Sequence, residues 1–381
     1  MPKISANYIF PVSQAPIKNG VIEIDETGKI ISISQIDSRE QSGIEFYNGV
    51  IVPGFVNAHC HLELSQFKGK VPQKTGLPNF IHNILKLYEN LIWEPEKIRE
   101  ADIEMQKNGI VAVGDISLYE ISAETKRKSK IYYHTFLETM DFYDKEAGKK
   151  SIENTKERKK LFQNSSFYTH APYTCSLDFI KEVANIDKGI FTIHNEEDPA
   201  ENELFIHGTG DFYKMLENLN AADKFTPSGK TSLMTYFPLI ENLDKNILLV
   251  HNVHTTEEEI QYVEKKNKNV YWVLNPLSNQ YISGVIPNAK KFMHNNAKIC
   301  LGTDSLSSNT KLNILEEMKC FDDIEFTEVL KWATLNGAKA LNIQDFAGSI
   351  DVGKRPGLNL IEHFDFQNFK LSPQSNVKVI V

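Results

Sequence analysis

The chain has 381 residues, 41% hydrophobic, 24% charged and 10% aromatic, and its 50 acidic against 42 basic side chains leave a formal charge of −8. A diffuse negative charge argues against a nucleic-acid partner, and 14 Tyr with 22 Phe argue against a disordered chain. No apolar run reaches the roughly 18 residues of a membrane span, and MPKISANYIFPVS lacks the long apolar stretch of a secretory signal. The length suits two domains, or one barrel with an appendage. Cys60, Cys175, Cys300 and Cys320 form no CxxC pair. They read as reduced thiols of a cytoplasmic protein. Any bound metal is therefore expected on His and carboxylate side chains.

Residues 4 to 52 read as short strands: YIFPV, GVIEID and KIISIS alternate at period two around Asn19-Gly20 and Thr27-Gly28. The chain ends in the same style, with a run closing at Ile361 after GKRPG and a final NVKVIV. The two ends are expected to build one small β-sandwich domain from residues 1–52 and 346–381, around a catalytic domain at 53–345. The alternative is two unrelated terminal extensions.

Within the middle, eight short apolar runs each end in polar residues: GVIVPGFVNAHCH, GIVAVGDIS, IYYHTFLET, SFYTHAPYT, GIFTIHNEE, NILLVHNVH, NVYWVLNPLS and AKICLGTDS. Between them lie segments such as NFIHNILKLYENL and LDFIKEVAN, with apolar residues three and four apart. Eight such strands with intervening helices predict an α/β fold, the closed parallel (β/α)8 TIM barrel, with its chemistry at the C-terminal strand ends. A doubly wound open sheet would gather polar residues at one switch point instead. The Lys- and Glu-rich stretch from Lys126 to Lys160 reads as a solvated helix surface. The long connections 62–109 and 198–245 are expected to cover the barrel mouth.

His59-Cys60-His61 is the strongest single signal. Side chains at i and i+2 share a strand face about 7 Å apart, and converge on one ion if the strand end twists. His194 ends strand five, and a neutral imidazole is costly to bury unless its nitrogens are paired. Asp304 ends strand eight, where it would otherwise serve as the N-cap of the next segment. Together, three imidazoles and one carboxylate around a divalent ion leave a charge of about +1 and favour ionising a bound water, whose pKa zinc can lower to about 7. Zinc suits N/O ligands best, and iron or manganese suits them too.

The ordered set PGFVNAHCHLELS, HAPYTCS, HNEEDPAENELF, VHNVHTTEEE, NPLSN and LGTDSLSSN resembles the amidohydrolase superfamily, in its hydrolytic deaminase and chlorohydrolase branch, over nearly the whole chain. The resemblance implies ligation by His59, His61, His194 and Asp304. Binuclear members bridge two metals with a modified lysine on strand four. This chain has His170 there, so one metal is expected. GSIDVGKRPGLNLI resembles the family's return into its small β-domain, with Pro356-Gly357 as a turn variation away from the site. Glu197 is three residues past His194, placed for a carboxylic acid that protonates a ring nitrogen and later the leaving amine. Its acidic neighbours Glu196, Asp198 and Glu201 leave an exposed acidic loop as the alternative. The resemblance gives His251 the role of orienting or deprotonating the water, with Asp304 as a second proton acceptor. It makes His170 a substrate contact, often to a sugar. Glu138 is a further candidate for substrate recognition, and Ser278 and Asn279 are candidates for shaping the pocket. His82, His134, His207, His254, His294 and His363 read as structural or surface residues.

The function expected is hydrolytic deamination of an amino-substituted N-heterocycle. HNEEDPAENELFIHGTGDF resembles deaminases of modified adenosines, aminodeoxyfutalosine among their substrates. The alternatives within the fold are a chlorohydrolase and a cyclic-amide hydrolase of the imidazolonepropionase kind. A non-enzymatic protein would show gaps in the ligand set, and there are none. HExxH, PCxxC, GxSxG and GxGxxG motifs are absent. The partner expected is a small-molecule substrate, with no nucleic acid and no membrane. A homodimer is implied by the resemblance alone.

Overall fold

The computed structural model describes residues 2–35, 43–89 and 91–381. Eight buried parallel strands form its centre: β1 (Phe55–Cys60), β2 (Ile110–Ser117), β3 (Tyr132–Thr139), β4 (Ser165–Thr169), β5 (Phe191–Asn195), β6 (Ile247–His251), β7 (Val270–Leu274) and β8 (Ile299–Leu301). They coincide with the eight apolar runs. Their side chains are buried on both faces, as expected for parallel strands layered between apolar surfaces. One face packs on Val56, Phe136, Tyr168, Leu248, Val250 and Val273, and the other on the surrounding helices.

The strands are organised as two four-stranded parallel sheets, β1-β2-β3-β4 and β5-β6-β7-β8, rather than as one uninterrupted ladder. At one junction the His194 amide on β5 donates to the carbonyl of His170, just past β4, at 3.1 Å. At the other, Cys60 and Asp304 form an isolated parallel bridge, and the amides of Thr303 and Asp304 both donate to the His59 carbonyl at 3.1 Å. Both junctions thus lie at residues picked out by the sequence.

The terminal segments join in one seven-stranded mixed sheet, ordered Asn376–Val379, Leu358–Glu362, Ile44–Pro53, Lys3–Ile9, Gly20–Ile24, Ile30–Gln35, with Ile17–Lys18 beside Lys3–Ile9. It packs its own apolar cluster, including Ile4, Ile9, Ile22, Ile51 and Leu360. Ile44–Pro53 runs directly through Gly54 into β1. A Cβ at Gly54 would sit 2.3 Å from Val111 and 2.6 Å from the Pro356 carbonyl, so only glycine fits this approach. The Gly54 amide donates to the carbonyls of Pro356 and Gly357. That turn therefore braces the start of β1, five residues before His59.

One expectation fails at Lys126, which is buried rather than solvated. Its ammonium is 2.6 Å from Asp115 on β2 and donates to Ser117 and Thr135 hydroxyls. Asp115 in turn accepts the Leu62 amide at 2.7 Å, just past His61. The composition of the segment hid this, because one lysine in a run of surface lysines carries no mark of burial. Helix Lys145–Lys159 does keep the exposed i,i+3 pairs expected of a solvated surface.

Removing one partner of a buried ion pair strands the other charge. Lys126→Met is therefore expected to lower unfolding stability by about 3 kcal/mol in urea denaturation of the full chain. A loss below about 1 kcal/mol would show that the pair contributes nothing beyond packing.

Candidate active site

The end of β1 is shaped by a bulge. Its register against β2 shifts between Asn57 and Cys60, which places an extra residue there. The His59 and His61 rings consequently come to 4.9 Å between centroids. Convergence of the pair thus comes from an inserted residue. The His194 ring is 5.0 Å from His59 and 5.4 Å from His61, and His251, the last residue of β6, is 5.6 Å from His59. Asp304, three residues past β8, has Oδ1 3.5 Å from Nε2 of both His59 and His61. Its Oδ2 accepts from the hydroxyls of Ser278 and Ser308 at 2.6 Å. Asp304 caps no helix, since the next one starts at Ile314 and is capped by Asn313.

The strand ends are held by backbone that side chains rarely tolerate. Glu196, His251, Asn252 and Asp304 have φ of 46°, 78°, 58° and 56°, each at a cost of order 1 kcal/mol. Buried amides stabilise these turns. Asn195 and Asn252 bond to each other, and Asn57 on β1 clamps Thr303 through its hydroxyl and its amide. In the sequence, the only signal of Asn57, Asn195 and Asn252 is an amide at the end of an apolar run.

Burial sets the protonation states. It lowers the His61 and His251 imidazoles from 6.5 to about 3, and His194 well below its ordinary value, with neighbouring imidazoles adding to the effect. For Asp304 burial acts upward. It is outweighed by the close approach of the His59 ring, 3.5 Å from Oδ1, and by the His61 and His251 rings, so the carboxyl lies well below the usual range. Glu197 shows the opposite result. Burial first, then the charges of Asp304, Asp198 and Glu201, push it well above 4.5, which favours its protonated form. Its Oε2 lies 3.4 Å from His251 Nε2.

The acidic run around Glu197 is buried, not an exposed loop. Glu196 accepts from Asn202, Glu201 accepts the Glu196 amide, and Asp198 accepts the amides of Ala200 and Leu77. Of the four acids, only Glu197 lines the cavity above the imidazoles. This cavity, about 610 Å³, also takes in His61, His170, His194, His251, Glu63, Glu138 and Asp304. Its outer walls come from the two long connections: Phe80, Ile84 and Tyr88 of α1 (Leu77–Glu89), and Phe212 and Met215 of α2 (Asp211–Asn218). The apolar face of NFIHNILKLYENL therefore lines a cavity as much as a core. Ser278 and Asn279 are held behind the site, Ser278 on Asp304 and Asn279 Nδ2 3.0 Å from His251 Nδ1. Tyr168, which the sequence reading did not single out, brings its hydroxyl to 2.5 Å from His194 Nδ1.

The donor set fits a divalent cation. Ligand atoms of His59, His61 and Asp304 all lie within 4.8 Å of one another, as do those of His59, His194 and His251. Among the described residues, both ring nitrogens of His59 are buried without a hydrogen-bond partner. The ring nitrogens Nε2 of His61 and His194 face each other at 3.3 Å, and His194 Nδ1 is directed at the His170 carbonyl at 2.7 Å, which leaves Nε2 its lone pair. Unpaired, neutral nitrogens facing one another beside a carboxylate are the arrangement a cation satisfies.

The chain is similar to known proteins in sequence and in fold. The sequence model of the Amidohydrolase family matches residues 50–381. A 5′-deoxyadenosine deaminase of Methanococcus maripaludis (strain C6) is 28% identical over 375 residues, covering 91% of this chain and 82% of that protein. Among solved structures, Helicobacter pylori aminofutalosine deaminase in complex with methylthio-coformycin superposes with a TM-score of 0.81 at 23% identity, covering 97% of this chain and 94% of that one. An adenosine deaminase from Xanthomonas campestris with bound zinc has a TM-score of 0.70 at 19% identity, with 96% and 86% covered.

Because His61 and His251 take up protons only near pH 3 in the folded state, they stay neutral from pH 7 to pH 5. Zinc affinity of the folded protein is therefore expected to change less than about tenfold over that interval, whereas imidazoles of ordinary pKa would lose on the order of a hundredfold or more. Equilibrium dialysis at both pH values checks this. In the metal-free protein the same lowered values predict stability present above pH 6.5 and progressively lost as pH falls towards 3.

Proposed function

The chain belongs to the amidohydrolase family, and from that premise we propose that it is a hydrolytic deaminase of a purine-nucleoside-like substrate, which releases ammonia from an amino-bearing ring carbon. The observation that carries the reading is the buried Glu197 in the cavity wall, 3.4 Å from His251 Nε2, its carboxyl pushed up by burial while His251 is lowered to about 3 and Asp304 is held well below the carboxylate range. This pairs a proton donor with two proton acceptors in one water-poor volume. Environments that push titratable groups apart in this way mark acid and base roles. The relatives named as deaminases of modified adenosines support the substrate class.

On this reading His59, His61, His194 and Asp304 would hold one divalent metal, zinc by preference. When bound, the metal supplies a polarised water as nucleophile. His251 and Asp304 would accept the proton of the water that attacks the ring carbon. Glu197 passes its proton to the adjacent ring nitrogen, so charge does not build up there. The tetrahedral carbon then loses its amine, which takes up a proton and leaves as ammonia, and a ring carbonyl remains. Ser278 and Asn279 act by position, keeping Asp304 and His251 in line. His170 and Glu138 face the substrate.

The same reading treats β1 to β8 as one closed (β/α)8 barrel of residues 53–345, and the terminal sheet as a separate small β-domain of 1–52 and 346–381. The bonds across both strand junctions and the separate apolar cluster of the terminal sheet support it.

Glu197→Gln is expected to keep metal content unchanged and to lower ammonia release from 5′-deoxyadenosine or adenosine by about 10²- to 10⁴-fold. Metal analysis and a coupled ammonia assay measure both. Unchanged turnover in this variant would refute the acid role, and hydrolysis without ammonia would point to chlorohydrolase or cyclic-amide chemistry.

A further inference from the structure

The three imidazoles of the donor set are not held alike. Among the described residues neither ring nitrogen of His59 has a hydrogen-bond partner. The polar neighbours of the His61 ring, His194 and Asp304, both stand at its Nε2, the side a cation would take. His194 alone has its far nitrogen engaged. Its Nδ1 lies 2.7 Å from the His170 carbonyl oxygen and 2.5 Å from the hydroxyl oxygen of Tyr168. Tyr168 is a fully buried residue of β4 and does not line the cavity. Its ring meets that of His194 at 5.9 Å between centroids.

The direction of these bonds follows from the chemistry of the partners. A carbonyl oxygen only accepts, so Nδ1 must carry a proton to face one at 2.7 Å. The Tyr168 hydroxyl therefore cannot donate to Nδ1. Its proton goes to the same carbonyl, at 3.1 Å, and its oxygen accepts from Nδ1–H. The backbone amide of His194 also donates to that carbonyl, at 3.1 Å. Three donors thus converge on an oxygen with two lone pairs. The Tyr168 oxygen relieves the crowding by sharing the Nδ1 proton. An imidazole whose Nδ1–H is accepted in this way is fixed in orientation and is a stronger ligand at Nε2. Packing does not require the hydroxyl. A phenylalanine would fill the same space among Val56, Phe136 and Val250.

We infer that Tyr168 is a positioning residue for the metal site: as second acceptor of the His194 Nδ1 proton, it aims that ring and sets the metal affinity without touching substrate. This rests on the metal-binding part of the proposed function and is independent of the bond that is hydrolysed.

The test compares Tyr168→Phe with Tyr133→Phe in the full chain. Tyr133, on β3, is also buried and donates its hydroxyl to Asp102 at 2.7 Å, so each variant loses one buried hydrogen bond. Zinc affinity is read by competition with a chromogenic chelator, starting from metal-free protein. Tyr168→Phe is expected to weaken zinc binding by about ten- to a hundredfold, and Tyr133→Phe by less than about twofold. Urea unfolding of the metal-free variants guards against a folding defect, since both should lose stability to a similar degree. In zinc-loaded protein with ring-15N histidine, the Nδ1–H proton of His194 is expected far downfield. It should shift upfield in Tyr168→Phe and stay in place in Tyr133→Phe. Unchanged zinc affinity in Tyr168→Phe would overturn the assignment, as would an equal loss in both variants. Failure of the unaltered chain to bind zinc would bring down the metal site and the assignment together. The expected loss of affinity in a chain that releases no ammonia from any nucleoside would sink the deaminase reading and leave the role of Tyr168 standing.

Discussion

An aspartate buried among packed imidazoles is compatible with His61, His194 and His251 only if these three rings stay neutral. Burial enforces this, since every proton added to His61, His194 or His251 would place a charge where little solvent can stabilise it. The rest of the site follows from that constraint. Neutral rings offer lone pairs, and lone pairs at 3.3 to 3.5 Å from one another and from a carboxylate ask for a cation. Asp304, the one group there that must be charged, is held so by two hydroxyls and the rings around it. Glu197, with no such donors, is pushed the other way, towards its protonated form.

The fold supports this arrangement from behind. Asn57, Asn195 and Asn252 tie neighbouring strand ends together, and the Asp115–Lys126 pair fixes the backbone just past His61. Four non-glycine residues at the strand ends hold left-handed backbone. Strain of that kind persists only where surrounding bonds over-determine it. The cost is carried by a buried framework with no direct part in the chemistry. The loops, by contrast, build the outer cavity from apolar side chains of α1 and α2, which gives substrate fit to segments that can vary without disturbing the metal ligands.

How much was legible beforehand differs by layer. The eight strands were readable because a parallel strand buried on both faces must be a continuous apolar run. The two-ended terminal sheet was readable because its strands alternate. His59, His61, His194, His251 and Asp304 stood out because imidazoles and carboxylates are rare at the ends of such runs. Lys126 and Tyr168 could not be found this way. One sits in a lysine-rich segment and the other in an aromatic strand, and only their partners distinguish them.

Sequence by itself determined the chemical inventory: which strands carry nitrogen and oxygen donors at their ends, and the absence of thiolate clusters. Periodicity and residue type are local properties, and these features are written locally. Tertiary structure alone decided which donors meet and in which charge state. It turned an adjacent His-Cys-His into a converging pair through a bulge, and it gave four acids in one short segment four different partners. Protonation depends on burial and on neighbours distant in the chain, and those are fixed only when the strand ends are brought together.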